Sequence, residues 1–422
     1  MPKKLCILYA AGPGDVIGTY RHWKAGRDDP SQVAVTYSGQ FYSLCTEIGA
    51  AGYVVSYCPR REFLAEGDFR IEHRPVRFGK GPGPLYHLGQ LWYGVRLTVT
   101  AMRFGADVAV ISGGAHWFSL GLLPWVGVKV VPTLHCVLWR KGQPPRGVVG
   151  RMVQGLTGRF FRKSATGVLS LSQDISSQLA ELLRGVQKPV ASFLPTYRSE
   201  SFAGVGQAPA APPFRVFFAG RIERNKGVFD LLEVAKRFAA EGRGDIEFDL
   251  CGIGSALGEL RLQVEAAGVG KRFRCHGHAE KALMREMYSA AHVVIAPTTS
   301  DFIEGFNKVV AEGVLAGKPV ITSSVCPALE YVREAVVEVP PNDVKAYGDA
   351  ILRLREETDF YRAKREGCSA AQAQFYDAKK GWAAAVKKML RIIGMLPEKF
   401  DPSIDIPAPV AAVDEGSEKL PL

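Results

Sequence analysis

The chain reads as an α/β protein with two Rossmann-like parallel-sheet domains facing across a cleft. Three observations predict this. Its 422 residues exceed the size of one ordinary domain. Short β-branched runs alternate with helix-period segments, the pattern of parallel sheets covered by helices. Between two such series, residues 203–213 (AGVGQAPAAPP) are rich in Ala, Pro and Gly and read as a linker.

In the first series, strands are expected at 5–10, 33–37, 53–57, 108–112, 129–133 and 167–171. Helices are expected at 41–50, 85–104, 118–123, 146–163 and 172–183. The second series places strands at 215–219, 247–251, 273–276, 292–296, 320–322 and 336–339, with helices between them. Helices at 346–357 and 359–375 follow, and 378–393 is amphipathic and basic. These readings divide the chain into a first domain (1–202), the linker, a second domain (214–375) and a terminal helix within 376–395. Residues 396–422 are rich in Pro, Ala and acids without periodicity, and are expected to be disordered.

An apolar fraction of 47% and a charged fraction of 23% suit a globular protein with sizeable cores. The net charge of +11 is concentrated. Residues 1–200 hold 24 Lys and Arg against 12 Asp and Glu, and the remainder holds 29 against 30. A basic first domain points to an anionic partner, and nucleic acid, an acidic membrane surface or a phosphorylated acceptor would each satisfy it. The eight cysteines are scattered without a Cys-x-x-Cys pair, as expected of reduced core residues in a cytoplasmic protein. No leader is expected, since Met1-Pro-Lys-Lys runs straight into the first strand. The apolar stretch 117–134 contains two prolines and Lys129, and reads as helix, loop and strand rather than a membrane span.

The most informative segment runs from Glu304 through Gly-Phe-Asn307-Lys308-Val-Val-Ala to Glu312. One acid precedes a short apolar helix and the other lies inside it, and Gly317 and Pro319 close that helix. At about 1.5 Å per residue the acids stand roughly 12 Å apart along the axis. They cannot share a proton or a metal, but they can hold two ends of an elongated ligand. The free N–H groups around Phe306 to Lys308 form an anion site at a helix N-terminus. Carboxylate, phosphate cradle, carboxylate: that order fits a nucleotide sugar. Alone, the same spacing also suits two solvated glutamates on an amphipathic helix.

Arg221 and Lys226 share a strand-to-helix loop, Gly220 to Gly227, where both can converge on one pyrophosphate. A charged loop at such a place can also be merely solvated. Cys251-Gly252-Ile-Gly254-Ser-Ala-Leu-Gly258 has a third glycine one residue late for a dinucleotide fingerprint. It reads as a tight turn near a ligand. His135 follows a strand at the carboxyl edge, where ligands of parallel sheets sit, and His116 is a weaker candidate. With no His-x-x-x-His, Asp-x-Asp or cysteine cluster, no tight metal site is expected. An α/β-hydrolase is disfavoured by the absent Gly-x-Ser-x-Gly. Gly14 and Gly39 sit in small-residue turns that either present N–H groups to a phosphate from the opposite wall or simply turn the chain. Segment 146–163 carries Arg151, Arg159, Arg162 and Lys163 among Val149, Met152, Leu156, Phe160 and Phe161. It suits either an anionic membrane surface or a helix with its apolar face in the core.

Taken in order, Gly220-Arg221…Lys226-Gly227, Cys251-Gly-Ile-Gly254, Gly277-His278 and Glu304…Glu312 with Gly317-Lys-Pro-Val resemble the donor domain of family 4 retaining glycosyltransferases of GT-B fold. The resemblance spans about residues 214–355. It implies that Arg221 and Lys226 neutralise a donor diphosphate, that Glu304 contacts the transferred sugar, and that Glu312 holds the ribose hydroxyls. Asn307 and Lys308 would present N–H groups to phosphate or sugar, and the Gly277–His278 loop would border the base beside Gly252. His135 matches the family's strand-end histidine near the sugar, and Gly39 its glycine at the first helix. The helix 378–393 resembles the segment that crosses back to the first domain. One departure affects Gly14: residues 11–38 intervene between the first strand and the helix that the family places directly after it.

The expected activity is transfer of a hexose, with retention, from a nucleoside-diphosphate sugar to an acceptor hydroxyl. The expected setting is cell-surface polysaccharide or glycolipid biosynthesis. Glu304 and His135 are the expected catalytic residues, with no cofactor or metal beyond the donor substrate. The partners are then the donor and a glycan or lipid-linked acceptor, with an anionic membrane surface on the cytoplasmic side and no nucleic acid. The alternatives are a non-catalytic nucleotide-sugar or glycan-binding protein, or an epimerase or phosphorylase on the same fold. Sugar, base, acceptor and oligomeric state stay open.

Overall fold

An apolar run after Lys4 starts the first sheet, β1 (Cys6–Ala10), buried over its last four residues. In the computed structural model, which describes residues 3–76, 83–301 and 303–397, two helices follow. These are α1 (Val16–Lys24), capped by the Asp15 carboxylate on Gly18 N–H at 2.7 Å, and α2 (Tyr37–Glu47), capped by Thr36. The chain continues through β2 (Ala51–Ser56), β3 (Glu62–Glu66), β4 (Phe69–His73), α3 (Pro84–Phe104), β5 (Val108–Ile111) and β6 (Lys129–Leu134). The domain is completed by α4 (Gly147–Lys163), β7 (Val168–Ser170), α5 (Gln173–Leu183) and β8 (Val190–Ser192). The strand order is β3-β4-β2-β1-β5-β6-β7-β8, parallel except for β3 against β4. Covered on both faces, β5 is buried at every residue, which is why it reads as a continuous apolar run.

Several expectations change here. Residues 33–37 are not a strand. The Val35 N–H reaches the Thr196 carbonyl (2.8 Å), and Thr36 caps α2 through Gly39 N–H at 3.1 Å. Local capping outweighs the β-branched composition of the segment. The stretch 11–38 holds α1, which buries Val16, Ile17 and Tyr20; the Tyr20 ring packs against Tyr42 and Phe69. The β3–β4 hairpin also went unread, although Phe69, Ile71 and His73 alternate inward with Arg70 and Glu72 outward. The expected helix at 118–123 is a 3₁₀ segment, Trp117–Leu122. Of the tail read at 396–422, residues 398–422 lie outside the described residues.

The second sheet is built from β9 (Phe214–Ala219), α6 (Val228–Ala240), β10 (Ile246–Cys251), α7 (Leu257–Ala266), β11 (Phe273–Gly277), α8 (Lys281–Ala290) and β12 (Val293–Ala296). Next come α9 (Lys308–Leu315), β13 (Val320–Ser323), α10 (Leu329–Val332), β14 (Val336–Val339), α11 (Val344–Glu356) and α12 (Thr358–Tyr376). All strands are parallel, in the order β11-β10-β9-β12-β13-β14. The order reverses direction at β9 and β12, a switch point that opens a crevice at the carboxyl edge.

After α12 the chain returns to the first domain as α13 (Trp382–Ile392). Trp382 is fully buried, 5.0 Å from the Tyr9 ring, and its indole N–H donates to Thr133 Oγ1 at 2.9 Å. Ala383 N–H donates to Gln40 Oε1 (3.0 Å), and Lys387 pairs with Glu47. Helices α1, α2 and α13 therefore share one face of the first sheet, while α3, the 3₁₀ segment, α4 and α5 cover the other. Trp382→Ala removes the largest side chain of this junction. It is expected to cost about 3–5 kcal/mol of stability in urea unfolding.

Candidate active site

The loops after β9, β10, β11 and β12 form one wall of the cleft. Arg221 and Lys226 stand in the first. That loop can close only on a glycine: Gly227 has φ +72°, and a Cβ there would lie 2.0 Å from the Pro297 carbonyl oxygen. The second loop touches the first backbone to backbone, since a Cβ on Gly252 would lie 1.7 Å from Gly220 O. Gly252 N–H is itself taken by the Gly277 carbonyl (2.7 Å), so what Gly252 supplies is close approach. Gly277 ends β11 with φ +76°, and His278 beside it is exposed.

Lys226 Nζ donates to Glu304 Oε1 at 2.8 Å, and both side chains are largely buried. The other oxygen, Glu304 Oε2, is buried without a protein partner. Such an atom is costly to leave unmet. Three residues on, Asn307 is the N-cap of α9, held by its amide on Thr298 Oγ1 (3.2 Å). At the start of α9 the Val310 N–H is taken by the Asn307 carbonyl (3.1 Å), while the N–H groups of Lys308 and Val309 have no acceptor within the helix.

The opposite wall is the carboxyl end of β6. His135 Nε2 lies 3.1 Å from Thr133 Oγ1, while its Nδ1 is buried without a partner. The Trp382 indole can only donate, so Thr133 Oγ1 accepts from it and the Thr133 hydroxyl proton is free for His135 Nε2. With Thr133 donating, the imidazole proton sits on Nδ1; the second lone pair of Thr133 Oγ1 can equally accept from Nε2–H, which makes Nδ1 the acceptor. Burial, reinforced by the Lys308 charge, pushes the His135 pKa down to about 3, so the ring is neutral. The Tyr37 ring lies 4.4 Å from His135 and carries the Lys308 ammonium above it at 5.4 Å. Burial lowers the Lys308 pKa, against an opposing pull from Glu312.

The two walls meet at Gly305. A Cβ there would lie 2.0 Å from His135 O and 2.8 Å from Cys136 Cα. Glu312, two turns into the apolar segment, accepts from Tyr288 OH at 3.2 Å. It keeps some contact with the cleft, but protein crowds its carboxyl, and burial pushes its pKa up to about 7. Lys308 and the Tyr288 and Tyr197 hydroxyls act in the opposite sense.

The structure thus gathers Glu304, Lys226, His135, Asn307 and Lys308, with Glu312 one helical turn beyond Lys308 and Arg221 in the same loop as Lys226. Gly39 stands in the first turn of α2, but its N–H is taken by Thr36, which leaves it no free donor for a phosphate. Gly14 lies just ahead of Asp15, which caps α1 and pairs with Arg60. His116 stacks between His87 and Phe118, away from this constellation. Sequence reasoning missed Tyr37, Thr133, Gly305, Tyr288 and Trp382. Only Gly305 carried a local signal, as the small residue beside an acid in a ligand-facing loop.

Residues 207–371 match the family described as glycosyl transferases group 1. The match spans the linker end and most of the second domain. The chain is similar to a D-inositol 3-phosphate glycosyltransferase of Xylanimonas cellulosilytica, 28% identical over 179 residues. That alignment covers 42% of this chain and 41% of the relative's length. Among solved structures, sucrose-phosphate synthase from Thermosynechococcus elongatus superposes with a TM-score of 0.65 at 18% identity, covering 92% of this chain and 98% of that one. Anabaena HepE, solved with UDP-glucose, superposes at 0.63 with 15% identity, covering 93% and 100%. Together with the two parallel sheets, these likenesses establish the GT-B fold of the chain.

The Glu312 pKa carries a testable sign. A carboxyl raised from 4.5 to about 7 binds a proton more tightly folded than unfolded. Its contribution to stability is complete below the unfolded value and is lost as pH rises through the folded one. Glu312→Gln is therefore expected to raise Tm by a few degrees at pH 8 and to leave it unchanged near pH 4, read by calorimetry.

Proposed function

We propose that the protein is a retaining glycosyltransferase that moves a hexose from a nucleoside-diphosphate sugar to an acceptor hydroxyl, in cell-surface polysaccharide or glycolipid biosynthesis. The observation that carries this is the meeting of Glu304 and Lys226 with His135 across the domain boundary, at the N-terminus of α9. Each partly satisfied atom there matches one part of such a donor. The diphosphate lies between the Arg221 and Lys226 cations and the first-turn N–H groups of α9. An ammonium has three donors, so Lys226 can keep Glu304 and reach a phosphate oxygen together. Glu304 Oε2 accepts from a sugar hydroxyl, and His135 Nδ1–H donates to another sugar oxygen. Glu312 meets the ribose hydroxyls one turn further along. HepE, with the same fold, is solved with UDP-glucose, which supports this class of donor.

In the reaction the bond from the anomeric carbon to the diphosphate breaks, and the electron pair leaves with the phosphate oxygen. The acceptor oxygen bonds to the anomeric carbon and its proton passes to the departing diphosphate. The cations and N–H groups stabilise the charge that develops on that oxygen, which is where preorganised donors contribute most. This chemistry asks for no metal and no cofactor. The basic first domain holds the acceptor, on the cytoplasmic side of the membrane in this reading.

Donor hydrolysis and transfer over a panel of UDP-, GDP- and ADP-sugars tests the assignment. Glu304→Gln and Lys226→Ala are each expected to lower kcat about 10²–10³-fold with the fold intact; unaltered turnover in both would sink it. Thr133→Val removes the acceptor of the Trp382 indole and the partner of His135. It is expected to lower kcat several-fold with KM little changed, because the ring loses its hydrogen-bond partner rather than its place. A KM effect alone would remove that argument.

A further inference from the structure

The stretch 83–173 contains ten Lys and Arg and a single acid, Asp107. That acid sits at the amino end of β5 and pairs with Lys3. The same stretch builds α3, the 3₁₀ segments Trp117–Leu122 and Pro124–Val126, and α4, side by side on one face of the first sheet.

A helix that covers a sheet normally buries one apolar stripe and turns a polar face outward. Helix α3 is apolar on both faces. Tyr93, Leu97 and Ala101 are buried inward, while Leu88, Trp92, Val95, Val99 and Met102 recur outward at spacings of three and four, each 36–57% exposed. Helix α4 repeats the arrangement. It buries Phe160 and Phe161 and exposes Val148, Val149 and Met152 by 57–77%. Trp125, in the 3₁₀ turn Pro124–Val126 that packs on the Trp117–Leu122 segment, is 88% exposed. An apolar surface shared by three neighbouring elements calls for a partner.

We propose that this face docks on an anionic lipid bilayer. The charges select that occupant. Arg103 follows Val99 by four residues and borders the α3 stripe, whereas Arg96, four after Trp92, already lies 3.9 Å from Glu72. Arg151 and Arg159 stand likewise among the exposed residues of α4. A bilayer gives hydrocarbon to the stripe and phosphate to these guanidiniums, whose stems lie along the boundary. The exposed indoles of Trp92 and Trp125 suit the headgroup level. A second copy of the chain is disfavoured, because an isologous pairing would set Arg103, Arg151 and Arg159 against their own copies, and the stretch 83–173 offers only Asp107, already paired with Lys3, to meet them. Trp92 and Arg96 also line a recess of about 680 Å³ at the carboxyl end of β4, together with Arg61, Arg74 and the acids Glu62 and Glu72.

The proposal is independent of the reaction and is tested on the full chain by sedimentation with vesicles. One set is phosphatidylcholine alone, and the other contains roughly a third phosphatidylglycerol. Binding to the anionic vesicles is expected to be at least tenfold tighter and to weaken as salt rises. The triple variant Leu88→Glu, Trp125→Glu, Met152→Glu is expected to lose that binding at least tenfold, with an unchanged circular dichroism spectrum and unchanged donor hydrolysis. A parent that pellets with neither vesicle overturns the proposal, as does a folded variant that pellets like the parent. A parent dimer that the variant dissociates, without vesicle binding, assigns the face to a second copy and overturns it too. Failure of donor hydrolysis in the parent, with vesicle binding intact, counts against the reaction and not against docking.

Discussion

Everything at the cleft depends on a contact that has no side chain in it. Gly305 presses its bare backbone against the His135 carbonyl, and this brings the loop after β12 within reach of the end of β6. Any Cβ at that point would hold the two walls apart. The residues on either side then gain their neighbours: Glu304 looks back to Lys226 in its own domain, and Lys308 reaches across to Tyr37 in the other. The site is assembled by proximity of two rigid edges, with glycines at Gly227 and Gly252 serving the same purpose between loops of one edge.

The second force at the junction is the return of the chain. Trp382 belongs to the last described helix, yet its indole sets the hydrogen bonding of Thr133 and, through it, of His135. A residue about 250 positions away in sequence thereby takes part in the hydrogen bonding of the ring at the cleft. This is an effect of buried polar groups that must be satisfied: Thr133 is fully buried, and its hydroxyl has only the indole and the imidazole to answer it.

Much of the fold could be read from the chain because parallel strands covered on both faces are continuous apolar runs, as in β5 and β12. What escaped notice were elements whose signal is local and mixed. The β3–β4 hairpin is half charged, and α1 is short with Gly18 near its start. At 33–37 a capping threonine overruled the valines. At the candidate site the charged residues could be read, since Arg221, Lys226, Glu304 and Glu312 have few other reasons to stand in such loops. Their neutral supports could not. Tyr37, Thr133 and Tyr288 look like core residues in sequence, and only the packing shows that they face a carboxyl, an ammonium or an imidazole.

The two sheets are distinct in topology, but their interiors are not. One continuous apolar cluster runs from Tyr9 and Phe41 in the first domain through Trp382 to Phe306, Val310 and Phe217 in the second. The other face of the second sheet, with Val216 and Phe218, forms a separate cluster with Leu231 and Tyr347. Alternate residues of β9 thus belong to different interiors. The inner face is covered by α8, α9 and α12 of its own domain. Neighbouring residues of one strand are therefore felt in different places: a change at Val216 or Phe218 is met by Leu231 and Tyr347, and one at Phe217 by the cluster that reaches Trp382.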